Sequence, residues 1–298
     1  MTIKIVQTGI TLLQDAGRFG FSEIGVPRSG AFDSYRYQLC CALVAGENIP
    51  AFEIFSGTFE ITTDQDLVLA IVGPAQVLVD GKMSFSGQTL SVGNGQKLSV
   101  TPTGNGPAYL VITGLQVDMV LNSASNDSLS GLGPKHVRVG TEFNVITNIE
   151  DQRNVGSFID AKTEADNFTF RYIPGPHEIA VSGVWKVFST TRIGIRLESD
   201  NPTEPGSANL ASFPVMPGCI QVPPSGQPVI LGPDCGTTGG YRVAGVVIAA
   251  DLHLLARLKP GMDLELRSVT IDEAKLAQAR LSQLLAKAII RPSGFGSW

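Results

Sequence analysis

The chain has 298 residues, of which 43% are hydrophobic and only 16% charged, with a formal net charge of −5 at pH 7. That length accommodates two domains, each with its own core, and the low charged fraction implies that much of the chain is buried or lies against a partner. An acidic balance without any basic run excludes nucleic acid as the main partner, because phosphate neutralisation needs clustered Lys and Arg.

The N-terminus runs straight into alternating apolar residues without a signal-peptide pattern, and no apolar stretch reaches the ~18 residues of a membrane span. No membrane partner is read, and a cytoplasmic location is expected. Cys40, Cys41, Cys219 and Cys235 have neither CxxC spacing nor a disulfide framework, and His136, His177 and His253 lie far apart, so no metal site is expected. The 33 glycines and 18 prolines favour many short strands joined by tight turns.

Residues Thr2 to Gln7 alternate as a strand and lead into a glycine-rich polar segment, TLLQDAGRFGFSEIGVPRSGAFD. Gln14, Asp15, Arg18, Arg28 and Ser29 there either tie a local hydrogen-bonded knot or line a pocket. Ser34 to Ala45 reads as a helix, with Asp33 or Ser34 as N-cap, Leu39, Leu43 and Val44 on its apolar face and Gly46 as its stop. Cys40 and Cys41 on this helix are read as small core residues.

From Ala51 to Leu115, short β-prone runs separated by Gly, Asn, Asp and Pro predict a barrel or sandwich, with tight hairpin turns at Val79 to Lys82 and Val92 to Gly95. Val117 to Gly140 is irregular and polar, and Val145 to Asp166 reads as a linker. A second β-rich unit begins at Phe168, with Ile173 to His177 as a turn. Arg192 and Arg196 stand four positions apart around a glycine; in a strand they would share a face and converge on one anion, or else lie solvated at a sheet edge. The organising stretch is Ile220 to Asp251, in which two apolar runs, Pro228 to Leu231 and Val243 to Ile248, read as paired strands. The loop between them carries Asp234, Thr237, Thr238, Gly239 and Gly240, and is either a capped turn or a wall that presents amides to a ligand. A short helix, Leu252 to Leu258, a turn at Pro260-Gly261 and a final helix opened by the capping box Thr270 to Glu273 follow, the last with Leu281, Leu284, Leu285 and Ala288 on one stripe.

No GxxxxGK[ST], GxGxxG, HExxH or GxSxG signature occurs. The segments LLQDAGRFGFSEIGVPRSGAFD, TRIGIRLE, IQVPPSGQPVIL and DCGTTGGYRVAGVVIAADLHLLARLKPG do resemble, in order and spacing, those of the biotin-dependent carboxyltransferase or allophanate hydrolase subunit 2 family. Its members include the 5-oxoprolinase C-subunit, the Kip antagonist protein and a domain of urea carboxylase. The resemblance implies a mainly β chain of two cyclophilin-like β-barrel units with a few short helices, divided near residue 150 into 1–150 and 151–298, with terminal strands able to cross between them. It also implies a subunit 1 or Kip-inhibitor-like partner, and the 5-oxoprolinase A-subunit as a third component.

The activity implied is ATP-dependent opening of 5-oxoproline to glutamate, performed only in the complex and with ATP shared among the subunits. Asp234, Arg192 and Arg196 would be catalytic. Gln14, Asp15, Arg18, Arg28, Ser29, Gln221, Thr237, Thr238, Gly239, Gly240 and Tyr241 would bind the small-molecule substrate. The alternatives are biotin-dependent carboxyl transfer to a urea-type acceptor, although no AMKM carrier motif occurs in this chain, and a non-catalytic module that antagonises a kinase inhibitor. The sequence departs from the family pattern at Thr191, where an acid is usual, at Gly236 in place of glutamine, and at Leu121 to Asn126, where the usual arginine is missing.

Overall fold

The computed structural model describes residues 1–134, 136–160, 168–204 and 210–291. Two sheets face each other in the N-terminal half. One has six strands, in the order Glu142–Asn144, Thr2–Gln7, Phe59–Thr63, Lys97–Pro102, Ala75–Val79 and Lys82–Ser84. The other has seven: Ile10–Gln14, Ala51–Ser56, Ala108–Ile112, Leu67–Val72, Gln88–Val92, Phe158–Ile159 and Ile289–Ile290. Between them lies a core to which Ile3, Ile5, Phe59 and Ile61 contribute from one side and Phe52, Ile54, Leu69 and Ile71 from the other.

Because successive strand residues point to opposite faces, the run LVLAIV is buried throughout. Its leucines enter the sandwich, while Ala70 and Val72 meet Tyr37, Leu39, Cys40 and Leu43 of helix α1, Ser34–Leu43. The two helical cysteines are therefore core residues, as expected. Asp33 caps α1 by accepting the Arg36 N–H at 3.0 Å, and the helix ends before Ala45, whose φ is +57°.

The C-terminal half closes into a seven-stranded barrel of Thr169–Pro174, Arg242–Val247, Cys219–Val222, Val229–Leu231, Gly194–Glu198, Gly183–Thr190 and Asp263–Ser268. Closure is made by parallel pairing of the last strand with the first, Phe170 opposite Leu266. Phe170, Trp185, Ile195, Ile220 and Leu266 fill the interior, and Phe32 and Phe55 from the N-terminal half pack against this cluster. The predicted mainly β architecture is found. Helix α2, Ile271–Lys287, carries the expected capping box, and the short helix spans Leu252–Arg257 as a 3-10 turn. No described helix is long and apolar enough to cross a membrane.

Four local expectations are corrected. Asp80 and Gly81, at φ +47° and +75°, do turn a hairpin, but Val92 to Gly95 joins strands in different sheets, since Gln88–Val92 and Lys97–Pro102 have no partner in common. The apolar runs flanking the 232–241 loop are not paired with each other, because Cys219–Val222 lies between them and bonds to both. Ile173 and Pro174 still belong to a strand, opposite Val246 and Gly245, so the turn begins later. The region read as a linker supplies Phe158–Ile159 to the seven-stranded sheet; its part at 161–167 lies outside the described residues.

Candidate functional site

Immediately after the strand Ile10–Gln14 the chain runs antiparallel to its own residues 28–31. The Arg18 N–H donates to the Arg28 carbonyl at 2.7 Å and the Ala31 N–H to Asp15 at 2.8 Å. The crossing is close enough to require glycine: a Cβ at Gly17 would stand 2.7 Å from the Arg28 carbonyl oxygen, and one at Gly30 2.9 Å from that of Ala16. Both glycines have positive φ, +96° and +91°.

Asp15, fully buried, anchors the far loop. Its Oδ1 accepts from the Gly17 N–H and from the hydroxyls of Ser123 and Ser125, at 2.8, 2.6 and 2.6 Å, and Oδ2 accepts the Ala124 N–H at 2.7 Å. Arg18 donates to the carbonyls of Val120, at 3.1 Å, and Ser125, and the Gln14 amide donates to that of Asn126 at 2.8 Å. Gln14, Asp15 and Arg18 thus form a hydrogen-bonded knot, one of the two readings open for this segment, but a long-range and not a local one, and what they tie down is the segment that delivers Ser128. The opposite atoms of two of these side chains, Gln14 Oε1 and Arg18 Nη1, and with them Asp127 Oδ2, are buried without a partner among the described residues. Asp15, Asp127 and Asp234 all act electrostatically on Arg18, although burial dominates and lowers its pKa.

Ser128 leads to the second half of the network. Its N–H and hydroxyl both donate to Asp234 Oδ2, at 3.0 and 2.7 Å. Asp234 is paired in turn with Arg192 through two parallel bonds, Nε to Oδ2 at 2.8 Å and Nη2 to Oδ1 at 2.7 Å. The backbone sets this up, since the Asp234 N–H donates to the Arg192 carbonyl at 3.0 Å. Arg192 further donates from Nη1 to Glu53 at 2.6 Å and from Nη2 to the Gly30 carbonyl at 2.7 Å.

Glu53 shares the helix-facing side of its strand with Ala51, away from Phe52 and Ile54. There it also accepts the Phe32 N–H at 2.7 Å and the Tyr109 hydroxyl at 2.5 Å. Tyr109 accepts the Asp33 N–H, and Asp33 is held by Arg257, at 2.8 and 2.7 Å. One continuous buried polar chain therefore joins the two halves. Burial alone would push the Asp234 carboxyl up, but Arg192 and Ser128 hold it below the usual carboxylate range. Burial wins at Glu53, whose carboxyl is held above that range despite Arg192, Tyr109 and Phe32. Arg192 loses by burial and gains more from Glu53 and Asp234, so its guanidinium is firmly charged.

Beside this chain opens a cavity of about 430 Å³, lined by Asp15, Arg28, Ser29, Ser34 and Tyr35 at the start of α1, Gly232 and Pro233, and Leu281, Ser282 and Leu285 of α2. The Ser29 N–H donates to the Pro233 carbonyl at 3.0 Å, its φ is +53°, and its buried hydroxyl has no partner among the described residues. Arg28 is exposed, with its guanidinium 4.1 Å from the centre of the Phe19 ring.

The predicted residues do not all converge. Arg196 lies on the barrel exterior, exposed, between the buried Ile195 and Leu197. The strand starts only at Gly194, so Arg192 precedes it and the two arginines share no face. The loop divides: 232–234 meets the Asp15 and Ser29 segment, while Thr238–Gly239 pairs with Phe213–Pro214 and a Cβ at Gly239 would meet Gln221 Nε2 at 2.4 Å. Gln221, Thr237, Thr238, Gly239, Gly240 and the exposed Tyr241 line no part of the cavity. Sequence reasoning missed Glu53, Tyr109, Ser128 and Arg257. The available signal was a single acid inside the apolar run AFEIF. Among the described residues, no three His, Cys, Asp or Glu side chains gather as metal ligands would.

The family model for the carboxyltransferase domain, subdomain A and B, matches residues 24–268. The chain belongs to this family. It is 28% identical over 291 residues to the 5-oxoprolinase C-subunit of Escherichia coli (strain K12), a match spanning 93% of this chain and 94% of that protein. It is also 27% identical to urea amidolyase of Saccharomyces cerevisiae (strain ATCC 204508 / S288c), spanning 89% of this chain but 16% of that one. The crystal structure of TTHA0988 in space group P212121 superposes with a TM-score of 0.79 at 29% identity, covering 90% of this chain and about half, 55%, of that longer chain. The K. lactis urea amidolyase structure, at 22% identity and a TM-score of 0.83 over 95% of this chain and 20% of that one, shares the fold.

Proposed function

We propose that this family member is the C-type component of an ATP-dependent 5-oxoprolinase, acting with a subunit 1 or Kip-inhibitor-like partner to open the lactam of 5-oxoproline to glutamate. The observation that carries the reading is the match to the 5-oxoprolinase C-subunit, 28% identical over 93% of this chain and 94% of that protein. The geometry supports a small, singly charged substrate. Arg28 at the cavity edge meets its carboxylate, the unpartnered Ser29 hydroxyl meets the lactam group, and the apolar remainder faces Leu281 and Leu285. Opening a stable amide requires donors aimed at the developing oxyanion. Arg192 contributes indirectly, because four acceptors already claim it and one of them, the Gly30 carbonyl, fixes the cavity wall next to Ser29. Asp234 positions Arg192 and Ser128, and Arg196, on the barrel exterior, drops out of the site.

The cavity offers one exposed arginine and no glycine-rich phosphate cradle, which does not fit a triphosphate, so ATP is assigned to the other components of the complex. Biotin would enter only with the carboxyl-transfer alternative, on a separate carrier. The test is 5-oxoproline-dependent ATP hydrolysis by this chain alone and with its co-expressed partner. Activity is expected only in the pair, and Arg28→Gln is expected to raise KM for 5-oxoproline about tenfold with unchanged stability, the loss of a charge-assisted contact. Carboxylation of urea by the pair with a biotin carrier, without 5-oxoproline turnover, overturns the reading.

A further inference from the structure

A second cleft, of about 250 Å³, shares Tyr35 and Leu281 with the first cavity as lining and lies among the strand Thr169–Pro174, the 3-10 turn Leu252–Arg257 and α2. We propose that this cleft binds a short-chain organic carboxylate. Its cations are Arg171, Arg257 and Arg280. Arg257 is paired with Asp33 at 2.7 Å, a carboxylate that Arg36 shares at 3.4 Å, and Arg171 is paired with Asp251, held from Nε at 2.9 Å and from Nη2 at 2.5 Å, which leaves Nη1 of Arg171 for a ligand. Arg280, on the cleft side of α2 beside Ala277 and Leu284, has no acidic partner among the described residues. Positive charge is therefore in excess among the described residues, which suits an anion.

His253 adds an unpartnered polar group. It is 6% exposed, its Nδ1 has no hydrogen-bond partner among the described residues, and its ring lies 5.2 Å from that of Tyr35. Burial depresses its pKa and, with Arg257 and Arg36, outweighs Asp33 and Asp251, which favour protonation, so a neutral imidazole with an unpartnered nitrogen lines the cleft. The rest of the lining, Leu254, Leu281 and Leu284, with Leu284 49% exposed, is wasted on a bare phosphate but covers a short alkyl chain. Head and tail thus have separate receptors, guanidinium and leucine.

The test uses the full chain in calorimetric titrations with pentanoate, inorganic phosphate and chloride at one ionic strength, with the His253 ring followed by NMR. Saturable pentanoate binding that moves the His253 resonance is expected. It should be weakened about tenfold by Arg280→Gln, an exposed position where the change leaves folding intact, as loss of one charge-assisted contact implies. Arg28→Gln, in the other cavity, should leave it unchanged. Absence of saturation, binding indifferent to Arg280→Gln, binding abolished by Arg28→Gln, or a preference for phosphate over pentanoate each overturns the proposal.

Discussion

Replacing Arg192 with methionine removes the central cation of the chain that joins the two halves. Glu53 and Asp234, both 0% exposed, would then keep their other donors but lose their shared counter-charge. Breaking a buried pair by deleting one partner costs about 3–5 kcal/mol, because the surviving charge stays desolvated. At about 2–4 °C per kcal/mol, a melting-temperature drop on the order of 10 °C follows. The loss carries a pH signature. In the parent, the depressed Asp234 carboxyl contributes stability that is present above its unfolded pKa and is lost as the pH falls through the folded value; the raised Glu53 carboxyl contributes in the opposite sense, losing its contribution as the pH rises through its folded value. Without Arg192 both carboxyls titrate above the ordinary range and accept protons readily. The deficit relative to the parent should therefore be largest near neutrality and shrink towards pH 5. Urea denaturation followed by circular dichroism at the two pH values measures it. A variant within about 1 kcal/mol of the parent, or a deficit independent of pH, refutes the buried-strut reasoning. Arg192→Lys should fall between, keeping a charge but not the fork.

Asp15→Asn should place an NH2 group against the Ala124 N–H or the serine hydroxyls, cost about 1–3 kcal/mol and free the 120–128 segment; hydrogen exchange at Ala124, protected in the parent by a 2.7 Å bond, should rise sharply. Tyr109→Phe leaves the Asp33 N–H and one Glu53 oxygen short of a partner, and should lower the denaturation free energy by about 1–3 kcal/mol. Gly240→Ala should be nearly silent in both stability and 5-oxoproline KM. The nearest atom to its new Cβ is the Leu210 carbonyl oxygen at 3.3 Å, and the residue is outside the cavity; a KM change of tenfold would return the 237–241 segment to the site.

What the sequence revealed depended on how local the physics was. Helix α1 and the capping box of α2 were legible because cap and apolar spacing sit within a few residues of each other. The turn at Gly93 and Asn94 was legible as a turn, but turn chemistry does not say which sheet receives the next strand. Arg192 and Arg196 looked convergent only on the assumption of one continuous strand, which begins instead at Gly194. The site's central pairings span 139 residues for Glu53 with Arg192 and 42 for Arg192 with Asp234, and neither separation has a periodicity to detect. Arg192 and Asp234 stood out locally, by spacing and by loop composition, and the family resemblance supplied only a role for them. It did not reveal that Glu53, a lone acid in a strand, completes them.

The strand Ile289–Ile290, which follows α2, bonds not to the barrel it has just left but to Phe158–Ile159 in the other half. The Asp160 N–H also donates to the Ala288 carbonyl at 3.0 Å. During synthesis the edge of the seven-stranded sheet must therefore wait for roughly 130 further residues, on the order of ten seconds at about 5–20 residues per second, with its amides open to any passing strand. This strand acts as a latch on a vulnerable nascent chain. A chain cut back to before Ile289 would carry a complete barrel, a nearly complete sandwich, and one sticky seam.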